Sequence, residues 1–502
     1  MLTGCQIAPS GESGWAEKRP NILFAISDDQ SYPHASAYGF KAVRTPALDR
    51  VAESGVLFTN AFVASPGCSP SRAALLTGRH TWQLEHAGTH ASSFPKEYVV
   101  YPDLLEKAGY FVGYTGKGWG PGNWEVSGRT RNPAGPEYNQ HRLESAPSGI
   151  SDKDYTANFQ AFLEARPNDK PFCFWFGGHE PHRRFEKGVG LSSDKKLEDV
   201  AVPPFLPDTP EIRSDILDYA VEIEWFDRHL GQMLKMLEER GELENTLVVV
   251  TSDNGMAFPR AKANLYEYGI HVPLAISWPG KVAGGRVVDD PVSLIDLAPT
   301  FLEAAGVEHP GTHPMVGRSL MNILISDKQG IVDPSRQGIF SARERHSSSR
   351  YNNLGYPCRV LRTRDYLYIR NFKPERWPAG APQKYEENGK LGPMHGAYHD
   401  IDASPTLSLL LEKSNDPEVA RYFHLAVDKR PDEELYDIRK DPGCLINLAD
   451  SAEYAEIKER LRSDFEQYLT QTQDPRMGEQ GDIFETYPRY SRIRQFPNGV
   501  RD

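Results

Sequence analysis

The apolar segments of this chain are continuous, and each has the length of a strand. Asn21–Ser27, Thr246–Thr251 and Pro273–Trp278 are dominated by apolar residues and do not alternate apolar with polar positions. A long segment with helical spacing, Ile212–Arg240, lies between the first two. Continuous apolar strands separated by helices indicate a sheet whose two faces are both buried. The sequence therefore predicts an α/β fold, in which helices sandwich a large mixed, mostly parallel sheet.

The length of the chain and a polar stretch within it predict two domains. The 502 residues exceed what one ordinary domain contains. The chain turns polar between Asp327 and Ser349, where we place the boundary. A larger domain is expected over residues 19–335 and a smaller α+β domain over residues 336–502. The smaller domain is expected to complete a cleft in the larger one.

Charge and composition narrow the classes of partner. The formal net charge is −12, which argues against nucleic acid, because phosphate backbones bind clustered Lys and Arg. Hydrophobic residues make up 39% of the chain, a share that fits a globular protein and excludes a disordered one. No apolar run reaches the roughly 18–20 residues of a membrane helix, so no transmembrane segment is expected.

The first residues of the chain give a clue to the cellular location of the protein. Leu2–Cys5 reads Leu-Thr-Gly-Cys, which resembles the cleavage box at which bacterial lipoproteins receive their lipid. The charged and apolar segments that precede such a box are not part of this sequence, so a lipidated Cys5 and a chance match both stay open. We expect a periplasmic, cell-surface or secreted protein, with residues 1–18 as a tether or lipoprotein remnant.

Polar clusters follow two of the predicted strands. The first strand ends in Asp28 and Asp29, and Asp253 and Asn254 follow the strand that ends at Thr251. Because ligands bind outside the carboxyl ends of strands in open α/β sheets, these side chains are expected to meet. Carboxylates together with an amide oxygen suit a hard cation such as Ca²⁺ or Mg²⁺. The alternative is that each pair only forms a turn or caps a helix.

The strongest single motif is the run Cys68–Arg72, which reads Cys-Ser-Pro-Ser-Arg and precedes Thr77–Arg79. Pro70 suits the first turn of a helix, so Cys68 is expected at the helix start, where free amides and the dipole favour an anion. Arg72, four residues later, faces the same side. This pattern fits a reactive thiolate beside a guanidinium, or else a buried free cysteine near a surface arginine.

This motif resembles the signature of the type I sulfatases, which belong to the alkaline phosphatase superfamily. Further blocks agree in order, so the resemblance extends over nearly the whole chain and implies an alkaline phosphatase-like fold. The blocks are Arg19–Asp29, Gly109–Lys117, His179–His182, Asp253–Lys262, Ser293–Thr300 and Glu434–Pro442. The segments 68–72, 179–183 and 253–266 look most like the heparan N-sulfatase (sulfamidase) branch.

The resemblance implies a modified residue and a cofactor. In that family a formylglycine-generating enzyme oxidises the cysteine, so Cys68 would become formylglycine, whose hydrate is the nucleophile. One Ca²⁺ would neutralise the crowded carboxylates and bind a sulfate oxygen. Its ligands would be Asp28, Asp29, Asp253, Asn254 and the modified Cys68.

Other residues acquire roles from the same resemblance. Arg72 would hold and neutralise the oxygens of the nucleophile. Lys117 and Lys262 would contact the oxygens of the sulfate group and stabilise the charge that develops there. His182 would protonate or contact the leaving group, unless it is only a structural loop histidine.

One position departs from the family pattern. A histidine that assists the nucleophile usually stands two residues after the first lysine, where this chain has Trp119. An indole has an N–H donor but no basic nitrogen, so it cannot carry a proton. His86 and His90, shortly after the signature, are the nearby candidates for that task or for substrate contacts.

The expected substrate is a sulfated polysaccharide or oligosaccharide whose sulfate esters are hydrolysed. Basic and aromatic groups that suit a sulfated sugar are expected to line the cleft, namely His86, His90, Trp119, His179, Arg183, Arg184 and the stretch Lys373–Trp377. Three alternatives stay open: a sulfamidase that cleaves N–S bonds, a phosphatase or phosphonate hydrolase of the same superfamily, and an inactive glycan-binding protein.

Overall fold

A computed structural model describes residues 19–168, 170–385 and 390–490 of the chain. Up to residue 335 its strands form one large sheet and one pair of very short strands. The strands are β1 (Asn21–Ser27), β2 (Gly55–Phe58), β3 (Ala61–Phe62), β4 (Phe111–Gly116), β5 (Phe172–Gly177), β6 (Thr246–Ser252), β7 (Leu274–Ser277), β8 (Arg286–Val288) and β9 (Val292–Ser293).

The large sheet has seven strands in the order β4-β5-β1-β6-β7-β2-β8. Neighbouring strands run parallel except where β7 pairs antiparallel with β6 and β2. The short strands β3 and β9 pair with each other. The predicted α/β fold with a mixed, mostly parallel sheet is therefore confirmed.

Helices cover both faces of this sheet, as the continuous apolar strands require. Along β1, Ile22 and Phe24 pack into one buried apolar cluster, while Leu23 and Ala25 pack into another. Successive side chains of a strand point to opposite faces, so both faces of β1 lie in a core. The helices of residues 19–335 are α1 (Pro46–Glu53), α2 (Cys68–Thr77), α3 (Tyr101–Lys107), α4 (Tyr155–Ala165), α5 (Val189–Ser192), α6 (Pro210–Glu239), α7 (Glu267–Ile270), α8 (Leu297–Ala305) and α9 (Met321–Leu324).

A second, antiparallel sheet follows in the carboxyl-terminal part of the chain. Its four strands lie in chain order: β10 (Gly338–Arg343), β11 (Cys358–Thr363), β12 (Tyr366–Asn371) and β13 (Glu433–Asp437). The helices here are α10 (Pro405–Glu412), α11 (Ala420–Val427) and α12 (Ala455–Gln471), and α12 packs on the sheet through Leu461, Phe465 and Leu469. The smaller α+β part is thus present, while the exact division at residue 335 stays a prediction.

The structure bears on only one of the two features that concern location, the lipoprotein-like box and the membrane helix. Cys5, the residue of the lipoprotein-like box, lies outside the described residues. Within the described ranges, no helix combines the length and the apolar character needed to cross a membrane.

Candidate active site

The carboxyl ends of four adjacent parallel strands meet at one edge of the large sheet, in the order β4, β5, β1 and β6. Asp28 follows β1, Lys117 follows β4, His179 lies just beyond β5, and Asp253 follows β6. Side chains that lie 225 positions apart along the chain, such as Asp28 and Asp253, are neighbours here because their strands pair directly. Parallel pairing thus brings these strand-end residues together at one edge, where ligands bind in open α/β sheets.

A tight bend brings Lys117 into this edge. Gly116 has a positive φ of 75°, which places it in the left-handed region that glycine tolerates. A Cβ at this position would lie 1.9 Å from the carbonyl oxygen of Gly177, so any other residue would collide with the neighbouring strand. The backbone N–H of Lys117 then donates to that same carbonyl at 2.7 Å. Position 116 therefore requires glycine.

Three carboxylates and a thiol form the centre of the site. One ligand atom from each of Asp28, Asp29, Cys68 and Asp253 lies within 4.8 Å of the others, and all four residues are buried. Asn254 adjoins the group, since its Nδ2 donates to Asp29 Oδ1 at 2.6 Å. Among the described residues, no donor reaches the buried Oδ1 of Asn254. An unpartnered amide oxygen beside crowded carboxylates is the donor set that a hard divalent cation takes, so these residues fit a metal.

Two lysines neutralise part of this acidic cluster. Lys117 Nζ contacts Asp28 Oδ2, and Lys262 Nζ lies 2.6 Å from Asp29 Oδ2. Burial works to raise the pKa of Asp28, but the nearby positive charges, with that of Lys117 first among them, together outweigh it and hold that pKa well below the usual range. Asp253, beside the charge of Asp28, has its pKa raised to about 6, mainly by burial. The cluster therefore combines crowded negative charge with cationic side chains in direct contact.

Cys68 is the first residue of α2, as the Pro70 signal predicted. Its Sγ lies 3.5 Å from Asp28 Oδ1, and burial raises the pKa of the thiol well above its ordinary value. Arg72 is fully buried one turn later. Its Nε donates to Asp253 Oδ2 at 2.7 Å and its Nη1 to the Lys117 carbonyl at 2.7 Å, while Nη2 is buried without a partner among the described residues. Nη2 is thus the one guanidinium nitrogen of Arg72 left without a partner among the described residues.

His182 lies at the mouth of the site, with 37% of its side chain exposed. Its Nδ1 lies 2.6 Å from the Arg183 carbonyl, to which it donates when protonated there. Its Nε2 is 3.1 Å from Lys262 Nζ and 3.8 Å from Asp29 Oδ2. The ring therefore presents Nε2 to the centre of the site.

The structure corrects two predicted substrate contacts. Trp119 is only 3% exposed and lies in the apolar core, where its Nε1 donates to the Ser69 carbonyl at 3.0 Å. It supports the first turn of α2 and offers no face to a cleft. Arg183 forms a two-pronged ion pair with Asp215, both contacts at 2.8 Å, and its side chain is 3% exposed. Both residues have the chemistry that suits a sugar, but packing has enclosed them.

The other predicted cleft residues differ in their surroundings. His179 is largely buried, which lowers the pKa of its ring to about 3. His86 stacks on Tyr487 with ring centres 4.2 Å apart. The side chain of Lys373 lies 3.2 Å from Asp482, and that of Arg376 lies 2.6 Å from Glu485. Arg184 is exposed. The structure does not bring the Lys373–Trp377 stretch into contact with the carboxylate cluster.

Residues from the carboxyl-terminal part reach the site without any sequence signal. The ring of His346 lies 4.5 Å from that of His90, and its Nδ1 would be 3.0 Å from a Cβ at Gly67, the residue before Cys68. Asp402 Oδ2 lies 3.3 Å from Lys262 Nζ. Burial, helped by the nearby His346, holds the pKa of His90 well below its ordinary value. His346 and Asp402 stand in polar stretches that match no motif, so only folding identifies them.

Comparison with known proteins agrees with this geometry. The family model described as sulfatase matches residues 20–307, which is more than half of the chain. A second model, described as the carboxyl-terminal region of N-sulphoglucosamine sulphohydrolase, matches residues 260–373.

Individual relatives match over most of their length. Human N-sulphoglucosamine sulphohydrolase is 29% identical in an alignment of 504 positions that covers 92% of each chain. An ulvan-active sulfatase of Formosa agariphila is 27% identical in an alignment of 488 positions that covers 90% of this chain and 75% of that one. One similar solved structure is that of a protein in complex with its substrate D-glucosamine-2-N,6-O-disulfate. It superposes on this chain with a TM-score of 0.64 at 22% identity, and the superposition covers 92% of this chain and all of the other. The two proteins therefore have the same fold.

Proposed function

This chain belongs to the sulfatase family, and from that premise we propose that it releases sulfate from a sulfated oligosaccharide or polysaccharide. The observation that carries the proposal is the position of Cys68, which begins a helix inside the Asp28, Asp29 and Asp253 cluster. Hydrolysis of an O-sulfate ester is the first candidate reaction. Cleavage of an N-sulfate bond is the second, because the model described as the N-sulphoglucosamine sulphohydrolase carboxyl-terminal region matches residues 260–373.

Cys68 is proposed to be converted to formylglycine by a maturation enzyme. The motif supports this, since Cys68–Arg72 stands at a helix start and matches the family signature. When present, the formylglycine hydrate supplies the hydroxyl that attacks sulfur and the second hydroxyl that later permits release of sulfate. Arg72, one helical turn after Cys68, is held by Asp253 and two backbone carbonyls and keeps one buried donor without a partner among the described residues.

Asp28, Asp29, Asp253 and Asn254 are proposed to hold one divalent cation, with Ca²⁺ the first choice for an all-oxygen set. Such a cation would polarise a sulfate oxygen and lower the repulsion between the carboxylates. The ammonium groups of Lys117 and Lys262, which contact Asp28 and Asp29, are proposed to donate to the oxygens of the sulfate group.

His182 is proposed to protonate the leaving atom of the sugar. Its Nε2 faces the centre of the site while the ring edge is open to solvent, which suits a group that exchanges protons with water. The backbone carbonyl of Arg183 fixes the ring through Nδ1. No base is assigned to position 119, because the Trp119 indole is buried and has no lone pair to accept a proton.

The reaction is tested by measuring free sulfate by ion chromatography. Glucosamine N-sulfate, glucosamine 6-O-sulfate and an aryl phosphate are incubated separately with the protein isolated after co-expression with a formylglycine-generating enzyme. We expect sulfate release from at least one of the two sugars, and the faster one identifies the bond that is cleaved. Preferential release of phosphate would favour the phosphoesterase alternative, and no release from any substrate would favour a glycan-binding protein.

The metal site is tested by stability rather than by activity. Addition of Ca²⁺ at about one hundred times its dissociation constant is expected to raise the free energy of unfolding by about 2.7 kcal/mol, because the cation binds only the folded cluster. Urea unfolding in EGTA and in excess Ca²⁺ measures this difference. Asp29→Asn should remove the response, whereas Asp152→Asn, which changes an exposed carboxylate paired with Arg142, should keep it. An unfolding midpoint that does not respond to Ca²⁺ in the unchanged protein would contradict the proposed ion.

A further inference from the structure

A cleft of about 830 Å³ is lined by residues outside the carboxylate cluster. Arg260 contributes to its lining, together with residues of α11 and of the segment that leads to β13. We call this the basic cleft. Its principal side chains are Arg260, Arg421, Tyr422, Lys429, Arg430 and Tyr436. Arg260 and Lys262 are two positions apart, so the basic cleft adjoins the candidate active site but is separate from it.

The cationic side chains of the basic cleft lack carboxylate partners. Within the described residues, no carboxylate oxygen lies within ion-pair distance of the charged nitrogens of Arg260, Arg430 or the two exposed groups Arg421 and Lys429. This is unusual in a chain whose net charge is −12. Unpaired cations that face one space mark a local positive potential, which overrides the sign of the whole protein for a ligand that enters it.

The acidic groups of the basic cleft are occupied by other donors. Asp428 pairs with His424 at 3.0 Å, and Asp441 Oδ2 accepts from the backbone N–H groups of residues 445 and 446. Glu434 Oε2 accepts from the hydroxyls of Tyr266 and Tyr436, at 2.7 and 2.6 Å. The cleft therefore has unused hydrogen-bond donors, whereas its carboxylate groups already have partners.

Arg260 and Arg430 are close together and incompletely satisfied. Their guanidinium carbons lie 4.0 and 4.9 Å from the centre of the same Tyr266 ring, and both donate to the Leu425 carbonyl. Arg260 is only 3% exposed, and its Nε has no partner among the described residues. Burial, together with the nearby charge of Arg260, lowers the pKa of Arg430 to about 10. Two neighbouring like charges, of which the buried Arg260 has an unused donor, are stabilised when an anion bridges them.

We propose that the basic cleft binds a sulfate group carried by a sugar unit that is not the one being hydrolysed. The planar guanidinium forks of Arg260 and Arg430 suit a tetrahedral oxyanion, and the exposed Arg421 and Lys429 add positive charge to the same cleft. The choice of a sulfated sugar over a free oxyanion rests on the proposed function, whereas the oxyanion site itself does not. Bound at this site, a substrate with several sulfate groups contacts the protein at two places.

The experiment measures binding by calorimetry in the Cys68→Ala protein, so that turnover is absent. The two probes are an N- and O-sulfated tetrasaccharide and inorganic sulfate. Arg430→Gln is expected to weaken tetrasaccharide binding at least about tenfold, the range for loss of a charge-assisted contact. The double variant Arg421→Gln/Lys429→Gln, at exposed positions, gives the same test if Arg430→Gln does not fold. Arg44→Gln, which removes an exposed charge elsewhere, is the matched control.

Activity distinguishes the basic cleft from the active site. In the protein with Cys68 intact, Arg430→Gln should leave kcat/KM for a sulfated monosaccharide unchanged and raise KM for the tetrasaccharide. Unchanged tetrasaccharide affinity in both cleft variants would overturn the proposal. Loss of inorganic sulfate binding alone would overturn the assignment of a sugar. Failure of the proposed function would appear separately, as absence of sulfate release by the unchanged protein.

Discussion

Replacing Cys68 by alanine is expected to lower the rate of sulfate release by about 10⁴- to 10⁶-fold, the range observed when an enzyme loses its covalent nucleophile. The physical reason is that in the proposed mechanism Arg72, Lys117 and Lys262 position and polarise the sulfate group but form no bond to sulfur. Sulfate is measured by ion chromatography with the best of the sugar substrates. A variant that keeps more than a tenth of the activity would contradict the assignment of Cys68.

Cys173→Ala is the matched control for this experiment. Cys173 is also buried and free, but it lies within β5 and faces the apolar core. Its removal should cost some stability and leave the activity of the folded protein nearly unchanged. Mass spectrometry of the peptide that contains Cys68 adds a chemical readout, because the formylglycine side chain is an aldehyde. An unmodified thiol in fully active protein would exclude the proposed nucleophile.

The second large effect concerns stability. Arg359→Met is expected to lower the free energy of unfolding by about 3–5 kcal/mol, because it removes one partner of a buried ion-pair network. Arg359 lies in β11 with no exposed surface, and its Nε is 2.6 Å from Asp474 Oδ2 while its Nη2 is 2.8 Å from Glu344 Oε1. Glu344 keeps Arg476 as a partner, but the buried Asp474 carboxylate loses its guanidinium. Urea unfolding followed by circular dichroism measures the loss.

The matched control is Arg370→Met on the neighbouring strand. Arg370 in β12 lies directly opposite Arg359 in β11. It forms an ion pair with Glu466, but the side chain of Arg370 is 37% exposed and that of Glu466 is 41% exposed. Exposed ion pairs contribute about 1 kcal/mol or less, so this variant should be nearly as stable as the unchanged protein. Equal losses at both positions would show that the burial of the network does not determine its contribution.

A net charge of −12 is compatible with an anionic substrate, because the charged groups inside the site act on the substrate more strongly than the distant surface does. Asp28, Asp29 and Asp253 belong to the acid excess, but they face a common centre and contact Lys117, Lys262 and Arg72. Local pairs act at contact distance in a water-poor site, whereas the charge of the remaining surface is screened over about 10 Å. Selection of a sulfate group therefore depends on the pocket and not on the overall charge.

The sequence alone determined the sheet and the centre of the site. Continuous apolar runs predict strands that are buried on both faces, and the alternate residues of β1 lie in two separate cores. The positions of Asp28 and Asp253 directly after strands, and of Pro70 two residues after Cys68, are local signals. Local signals can be read from one segment because chain geometry and helix capping depend on neighbouring residues.

Only the tertiary structure decided which polar and aromatic residues remain accessible. Trp119 and Arg183 have the chemistry expected of a sugar cleft, yet one packs in the core and the other is enclosed with Asp215. His346 and Asp402 come to the site from segments that carry no motif. Exposure and long-range contact depend on how distant segments pack together, and no single segment contains that information. The sequence therefore identified the strand-end residues that meet at the candidate site, and packing decided what surrounds them.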